Sequence, residues 1–158
     1  MLDQKQEAAI SPPPDDSTHP ALLDHIGQAL AKAAQTWKAD FEQRMTARGH
    51  AVFREAASNA LAFIGPQGIS QSRLARVMGV SKQAAQQFTD RLAALGLVTR
   101  APDPTDSRAI RVLLTLAGQQ LMTEANAVKS AIEAGYRSTM GNSAFAFLKA
   151  TLNHLPKI

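Results

Sequence analysis

The stretch "LGLVTRAPDPTDSRAIRVLLTLAG", residues 95–118, is the most informative part of the chain. Two apolar runs rich in β-branched residues, "LVTR" and "AIRVLLT", flank the polar heptapeptide "PDPTDSR" and predict two antiparallel strands. Ile110 and Val112 alternate with Arg111, as expected for a half-buried strand. Because a hairpin needs only about two loop residues, we interpret the heptapeptide as a long projecting loop that its two prolines stiffen.

The tip of this predicted loop carries Asp106 and Arg108, two positions apart. A short carboxylate can hold the orientation of a guanidinium group. A fixed arginine on a narrow loop suits the DNA minor groove, where negative potential is concentrated. These residues alone leave an alternative open, which is a hairpin closed by an internal salt bridge with no nucleic acid bound.

Two short helices are predicted ahead of the hairpin, in "SQSRLARVMGVSKQAAQQFTDRLAALG". Ser70 is expected to cap the first helix and Ser81 the second, and Gly79 is expected to form the turn between them. Two short capped helices around a tight glycine turn are typical of a helix-turn-helix.

The exposed face of the second helix carries side chains that can read DNA. At about 100° per residue, Gln83, Gln86, Gln87 and Asp90 share one face, and Lys82 lies beside it in the first turn. Glutamine can bond bidentately to an adenine edge, and lysine can meet a guanine edge or a phosphate. On these side chains alone, a solvated helix face is the alternative.

Charge is unevenly distributed along the 158-residue chain, whose formal net charge is +4. Residues 68–111 contain seven Lys and Arg against three Asp, whereas residues 1–20 contain one Lys against four acidic residues. A clustered basic segment is the electrostatic footprint of a polyanion partner. A basic surface with nothing bound is the other interpretation.

Several classes of protein are disfavoured by what the sequence lacks. There is no Cys, which excludes disulfides and thiolate metal sites. No apolar run approaches the roughly 20 residues of a membrane helix, and no secretory signal is visible, so we expect a cytoplasmic protein. The four His are scattered, and no phosphate-binding, dinucleotide or nucleophile-elbow motif occurs. We therefore expect no catalytic residues, no metal site and no cofactor.

Further helices are predicted on both sides of this core. Residues 1–19, with "SPPPDDS", predict a disordered tail. The first helix has an apolar stripe at Leu22, Ile26, Leu30, Ala33, Trp37 and Phe41. A second helix is expected from Val52 to Ile64, with Phe53, Ala57, Leu61 and Ile64 on one face.

Two more helices follow the hairpin. One is expected from about Leu116 to Tyr136, with Leu121, Ala125, Val128 and Ile132 on one face, and the last is expected to be capped by Asn142 or Ser143. These apolar stripes are too long for one small chain to cover, and soluble monomers rarely expose such patches. We therefore expect a two-fold homodimer, with an interface that includes Leu22, Ile26, Phe145, Leu148 and Leu152.

Residues 68–118 resemble the winged-helix core of the MarR family of bacterial transcriptional regulators. The matching stretches are "SQSRLARVMGVSKQAAQQFTDRLAALGLVTR" and "DPTDSRAIRVLLTLAG", and the resemblance extends over residues 21–155. It implies a mainly α fold with a small β-hairpin wing. A winged helix-turn-helix core at about 52–118 would be flanked by dimerisation helices at about 20–48 and 116–155.

The same resemblance implies a homodimeric repressor that binds an inverted repeat in double-stranded DNA. A winged-helix module for protein interaction or dimerisation, without a ligand response, is the alternative. The predicted DNA contacts are Ser70, Arg73, Ser81, Lys82, Gln83, Gln86, Gln87, Arg91, Asp106 and Arg108. A small aromatic, anionic effector is also implied, with His25, Trp37, Phe41, Phe53 and Arg54 as its predicted lining.

Overall fold

The computed structural model of the chain describes residues 25–104 and 106–155, with the backbone alone at residues 106–108. The α-helices are α1 (Ile26–Ala47), α2 (Gln71–Met78), α3 (Lys82–Ala94), α4 (Leu116–Met140) and α5 (Asn142–Asn153). Two 3₁₀ helices span Ala51–Arg54 and Ala56–Phe63, and the strands are β1 (Ile69–Ser70), β2 (Val98–Asp103) and β3 (Asp106–Leu114). The predicted fold class, mainly α with a β-hairpin wing, is confirmed. The predicted tail 1–19 and Leu22 lie outside the described residues.

The predicted helix-turn-helix is confirmed at its caps. The Ser70 hydroxyl accepts a hydrogen bond from the Arg73 amide at 3.4 Å, at the start of α2. The Ser81 hydroxyl accepts from the Ala84 amide at 3.1 Å, at the start of α3. Between the two helices Gly79 has a φ of +66°, a conformation that an L side chain rarely adopts. The chain therefore turns sharply enough to pack α2 against α3.

The second predicted helix, Val52–Ile64, is wrong in its hydrogen bonding. The structure has two 3₁₀ helices here, separated by Glu55 in an extended conformation with φ −90° and ψ 141°. Phe53, Ala57 and Leu61 are nevertheless buried as predicted. Apolar spacing indicates which side chains face inward, but it does not distinguish i→i+3 from i→i+4 hydrogen bonding.

The wing is also shorter and more regular than predicted. The strands β2 and β3 run through most of the heptapeptide, so only positions 104 and 105 separate them, and position 105 lies outside the described residues. The strand order β1-β3-β2 makes β2 an edge strand, where Pro102 costs no internal ladder hydrogen bond. The register shifts between Pro102 and Asp103. The prediction of a seven-residue projecting loop was therefore wrong.

A two-residue strand, β1, was missed because it is too short to show a periodic pattern. Ile69 pairs with Val112 of β3. Gly68, just before it, has a φ of +71°, and a Cβ there would lie 2.5 Å from the Val112 carbonyl oxygen. Only glycine lets the chain approach β3 this closely, and the approach seats the start of α2 on the sheet.

The helices and the sheet share one hydrophobic core. Leu74 of α2, Leu92 of α3 and Val112 of β3 are all fully buried. The predicted stripe of α4 is confirmed, since these four side chains are buried: Leu121, Ala125, Val128 and Ile132. The helix itself continues past Tyr136 to Met140.

The last helix packs on α4 by one side only. It starts at Asn142 after Gly141, with no side-chain cap hydrogen bond, so the predicted cap by Asn142 or Ser143 was wrong. Phe145 is buried, with the Arg137 guanidinium 4.7 Å from its ring centre. Lys149 Nζ lies 2.8 Å from a Glu133 carboxylate oxygen of α4. No helix in the described part of the chain is long and apolar enough to span a membrane.

Candidate nucleic-acid interface

The exposed face of α3 holds the predicted base-reading side chains together. Lys82, Gln83, Gln86 and Gln87 are all exposed, while Ala85 on the opposite face is fully buried. Lys82 makes no ion pair with any described residue. We name the side chains of Lys82, Gln83, Gln86, Gln87 and Asp90 the recognition surface.

Helix α2 adds basic side chains beside the turn. Arg73 and Arg76 are exposed, and neither makes an ion pair with a described residue. Arg73 was predicted from the sequence and Arg76 was not. In helix-turn-helix proteins the first helix crosses the DNA backbone, so unpaired cations on it suit phosphate contacts. Ser70 caps α2 by its side chain.

A hydrogen-bonded network ties the wing strand β2 to α3. Arg100 Nη2 donates to Thr89 Oγ1 at 2.7 Å and to Asp90 Oδ1 at 2.6 Å. Thr89 is fully buried, and its hydroxyl lies 2.9 Å from the Gln86 carbonyl oxygen and 3.3 Å from Gln71 Oε1. Sequence reasoning missed this network because Arg100 and Thr89 are eleven residues apart and on different elements.

Arg91, a predicted DNA contact, is already paired inside the chain. Its Nε and Nη2 each donate to a Glu55 carboxylate oxygen at 2.7 Å, which makes a bidentate ion pair. These hydrogen bonds hold the pKa of the Glu55 carboxyl below its ordinary value of 4.5. Glu55 is the extended residue between the two 3₁₀ helices, so the pair joins that break to α3.

At the wing, the described ion pair is one that the sequence did not predict. Asp103 is buried, and one of its carboxylate oxygens lies 3.1 Å from Arg111 Nε and 3.0 Å from Arg111 Nη2. The backbone of Asp106 and Arg108 belongs to β3, but their side chains lie outside the described parts. The contact between those two side chains and the role of Arg108 in DNA binding stay predictions.

Comparison with known proteins identifies the family. The family model described as MarR family matches residues 54–109. Over 109 residues the chain is 31% identical to the HTH-type transcriptional repressor NicR of Pseudomonas putida, covering 69% of this chain and 68% of NicR. The chain belongs to the MarR family. It is a transcriptional regulator of that family, whose members are not enzymes.

Solved structures match the fold of this MarR-family regulator. The repressor CouR from Rhodococcus jostii RHA1, bound to p-coumaroyl-CoA, is 22% identical with a TM-score of 0.66, covering 85% of this chain and 95% of CouR. A CouR structure bound to a 23-mer DNA duplex is 21% identical with a TM-score of 0.70, covering 84% of this chain and 93% of CouR.

The structure brings together only part of the predicted effector site. Trp37 stacks on Phe41 with ring centres 5.4 Å apart, and Phe41 meets Phe53 edge-on at 5.0 Å. His25 caps the other end of α1, about 18 Å along the helix from Trp37 at ~1.5 Å per residue. Arg54 is exposed. The three aromatic residues form one packed cluster that His25 does not join.

A cavity that sequence reasoning did not predict lies elsewhere in the regulator. It has a volume of about 390 Å³ and lies between the second 3₁₀ helix, the end of β3 and α4. Its lining is Leu61, Ala62, Ile64, Gly65, Pro66, Leu114, Gln119, Met122 and Asn126. The lining carries no charged side chain. Within the described residues no group of three or more His, Cys, Asp or Glu is placed to hold a metal ion.

The predicted dimer residues divide into two sets. Ile26 is 74% exposed, and Leu148 and Leu152 on α5 are 43% and 44% exposed. Phe145 is instead buried within the chain, where it anchors α5 to α4. Phe147 was not predicted, although it is 75% exposed. We name the side chains of Ile26, Phe147, Leu148, Leu152 and Leu155 the apolar arm.

Proposed function

We propose that this MarR-family regulator is a homodimeric repressor that binds an inverted repeat in double-stranded DNA by sequence. The observation that carries the proposal is the recognition surface, which presents on α3 three exposed glutamines and a lysine that forms no ion pair with a described residue. Amide side chains on a helix in the major groove are suited to read adenine edges. The other face of α3 packs in the core, so this surface is held in place.

The distribution of charged side chains also supports DNA binding. Arg91, Arg100 and Arg111 each form an ion pair with a carboxylate of the same chain, which offsets their positive charge. Lys82 on α3 and the arginines of α2 remain without an ion pair among the described residues, and they lie on the two elements that face DNA in helix-turn-helix proteins. Phosphate contacts of this kind supply affinity and register but carry no sequence information.

The homodimer and the inverted repeat are supported by the apolar arm. An exposed apolar face of this kind marks a protein interface more often than a free surface. A two-fold contact through the same helices would repeat the recognition surface by symmetry. Recognition helices related in this way read half-sites about one DNA turn, roughly 34 Å, apart.

Two relatives support the repressor role and an effector. NicR is named as a repressor, and CouR has been solved with a DNA duplex and with p-coumaroyl-CoA. We propose that an aromatic, anionic effector also binds this chain. The reason is that Lys129 Nζ lies 5.8 Å from the centre of the Phe41 ring, so a cation stands beside the aromatic cluster. Release of bound DNA by salicylate-like acids tests the effector, and DNA retained at saturating acid would contradict it.

DNA binding is tested by the salt dependence of affinity combined with selection of bound sites from random DNA. Wild-type affinity is expected to fall steeply with salt, because neutralised phosphates release counterions. Gln86→Ala and Gln87→Ala are each expected to change the preferred base at specific positions, by about 1–3 kcal/mol. The matched control is Gln120→Ala on the exposed face of α4, which should leave the motif unchanged. An unchanged motif in both α3 variants would refute the recognition surface.

A further inference from the structure

Asp90 is an acidic side chain on the recognition surface, and one of its carboxylate oxygens accepts hydrogen bonds from two neighbouring side chains. Asp90 Oδ1 accepts from Arg100 Nη2 at 2.6 Å and from Gln86 Nε2 at 3.2 Å. A carboxylate only accepts hydrogen bonds, so it is the nitrogen end of the Gln86 amide that faces Asp90. The flipped orientation of that amide is disfavoured, because the amide oxygen and the carboxylate would then repel each other.

We propose that Arg100, on the wing strand, is a positioning residue for base readout. Through Asp90 it fixes the orientation of the Gln86 amide and so makes Gln86 select adenine. The inference rests on the proposed function, because it assumes that the recognition surface meets base edges. Arg100 itself contacts no base in this account.

The geometry of the amide explains the choice of adenine. A glutamine that bonds bidentately to adenine uses its carbonyl oxygen for N6–H and one N–H for N7. Because Nε2 carries two hydrogens, one can stay on Asp90 while the other meets N7. An amide held in this orientation before binding loses less conformational freedom on binding than a free one.

Arg100 is better fixed than Asp90, and this makes it the anchor. Its Nη2 also donates to the hydroxyl of Thr89, which is fully buried. The Arg100 side chain is 28% exposed and that of Asp90 is 53% exposed. Arg100 also neutralises Asp90, whose charge would otherwise repel the phosphates beside the recognition surface.

The experiment compares sites selected from random DNA by the wild type, Gln86→Ala, Asp90→Ala and Arg100→Met. Arg111→Met is the matched control, because Arg111 is 24% exposed and forms an ion pair in the same sheet, but its described hydrogen bonds go to Asp103 and Gln67 and not to α3. We expect Arg100→Met and Asp90→Ala to lower the preference for adenine about fivefold or more, at the position that Gln86→Ala also affects. Arg111→Met should leave that preference unchanged.

The double variant Gln86→Ala/Arg100→Met adds a stricter condition. It should relax the preference no further than Gln86→Ala alone, because both changes remove the same contact. Thermal unfolding reports whether Arg100→Met folds. If it does not, Asp90→Ala replaces it as the test, since Asp90 is about half exposed and carries no core packing.

Two results would overturn the inference. If Arg100→Met or the folded Asp90→Ala weakens binding to every site equally and keeps the base preferences, the network acts on affinity or folding alone. If Gln86→Ala itself leaves the motif unchanged, Gln86 reads no base and the inference fails, whereas the proposed recognition surface fails only if Gln87→Ala also leaves the motif unchanged.

Discussion

The winged helix and the last helix treat their apolar residues in opposite ways. In the winged helix, Leu74, Leu92 and Val112 are fully buried within one chain. In α5, Phe147 is 75% exposed and Leu148 and Leu152 are more than 40% exposed, although Phe145 of the same helix is buried. One region closes its own core, and the other leaves an apolar face open.

This difference indicates that the two regions have different roles. The winged helix presents polar and basic side chains outward, which suits the proposed contacts with DNA. In the proposed homodimer, a second copy of the apolar arm covers the first by two-fold symmetry. Stable dimers of this kind bury about 2,000 Å² or more.

The largest effect is expected from breaking the apolar arm. Leu148→Asp places a charge on its exposed face without touching the buried Phe145. We expect the dimer to dissociate and operator affinity to fall by about 10²-fold or more, because the second half-site contact is no longer intramolecular. Sedimentation together with gel-shift titration measures both.

The control for this prediction lies on the same helix. Ala146 is exposed and lies about 160° around the helix from Leu148, at ~100° per residue, so Ala146→Asp should leave both dimer and affinity intact. A Leu148→Asp protein that stays dimeric at micromolar concentration would show that the apolar arm is not the interface.

A smaller, pH-dependent effect is expected from the Glu55–Arg91 pair, which joins the break between the two 3₁₀ helices to α3. Arg91 lowers the pKa of Glu55 from its ordinary value of 4.5. The pair therefore stabilises the folded state fully above that value, and this contribution is lost as the pH falls through the lowered folded pKa. Glu55→Gln is expected to lower the melting temperature at pH 7, with the difference from wild type shrinking below pH ~4. An equal difference at pH 7 and pH 3 would contradict this assignment.

The helix-turn-helix was predictable because its signals are local. Ser70, Gly79 and Ser81 mark helix ends by chemistry that acts within three or four residues. The apolar stripe of α4 was predictable for the same reason, since side chains four and three apart share a face. Both features follow from the backbone geometry of a single helix.

The features that the sequence did not predict depend on contacts that no local sequence pattern marks. Glu55 and Arg91 are 36 residues apart, and nothing local marks them as partners. The wing was misjudged because Pro102 and Asp103 are turn residues by propensity, whereas an edge strand accepts the proline and Arg111 pairs with the aspartate. Tertiary contacts overrode local preference in both places.

In the function that we propose, the winged helix reads DNA while the apolar arm pairs two copies of the chain. Selection of bound sites from random DNA by the full chain, with the stoichiometry of the selected complex measured by sedimentation, tests it most directly. We expect an inverted repeat whose half-site centres lie about 10 base pairs apart, bound by two chains. A single asymmetric site, bound tightly by one chain, would contradict it.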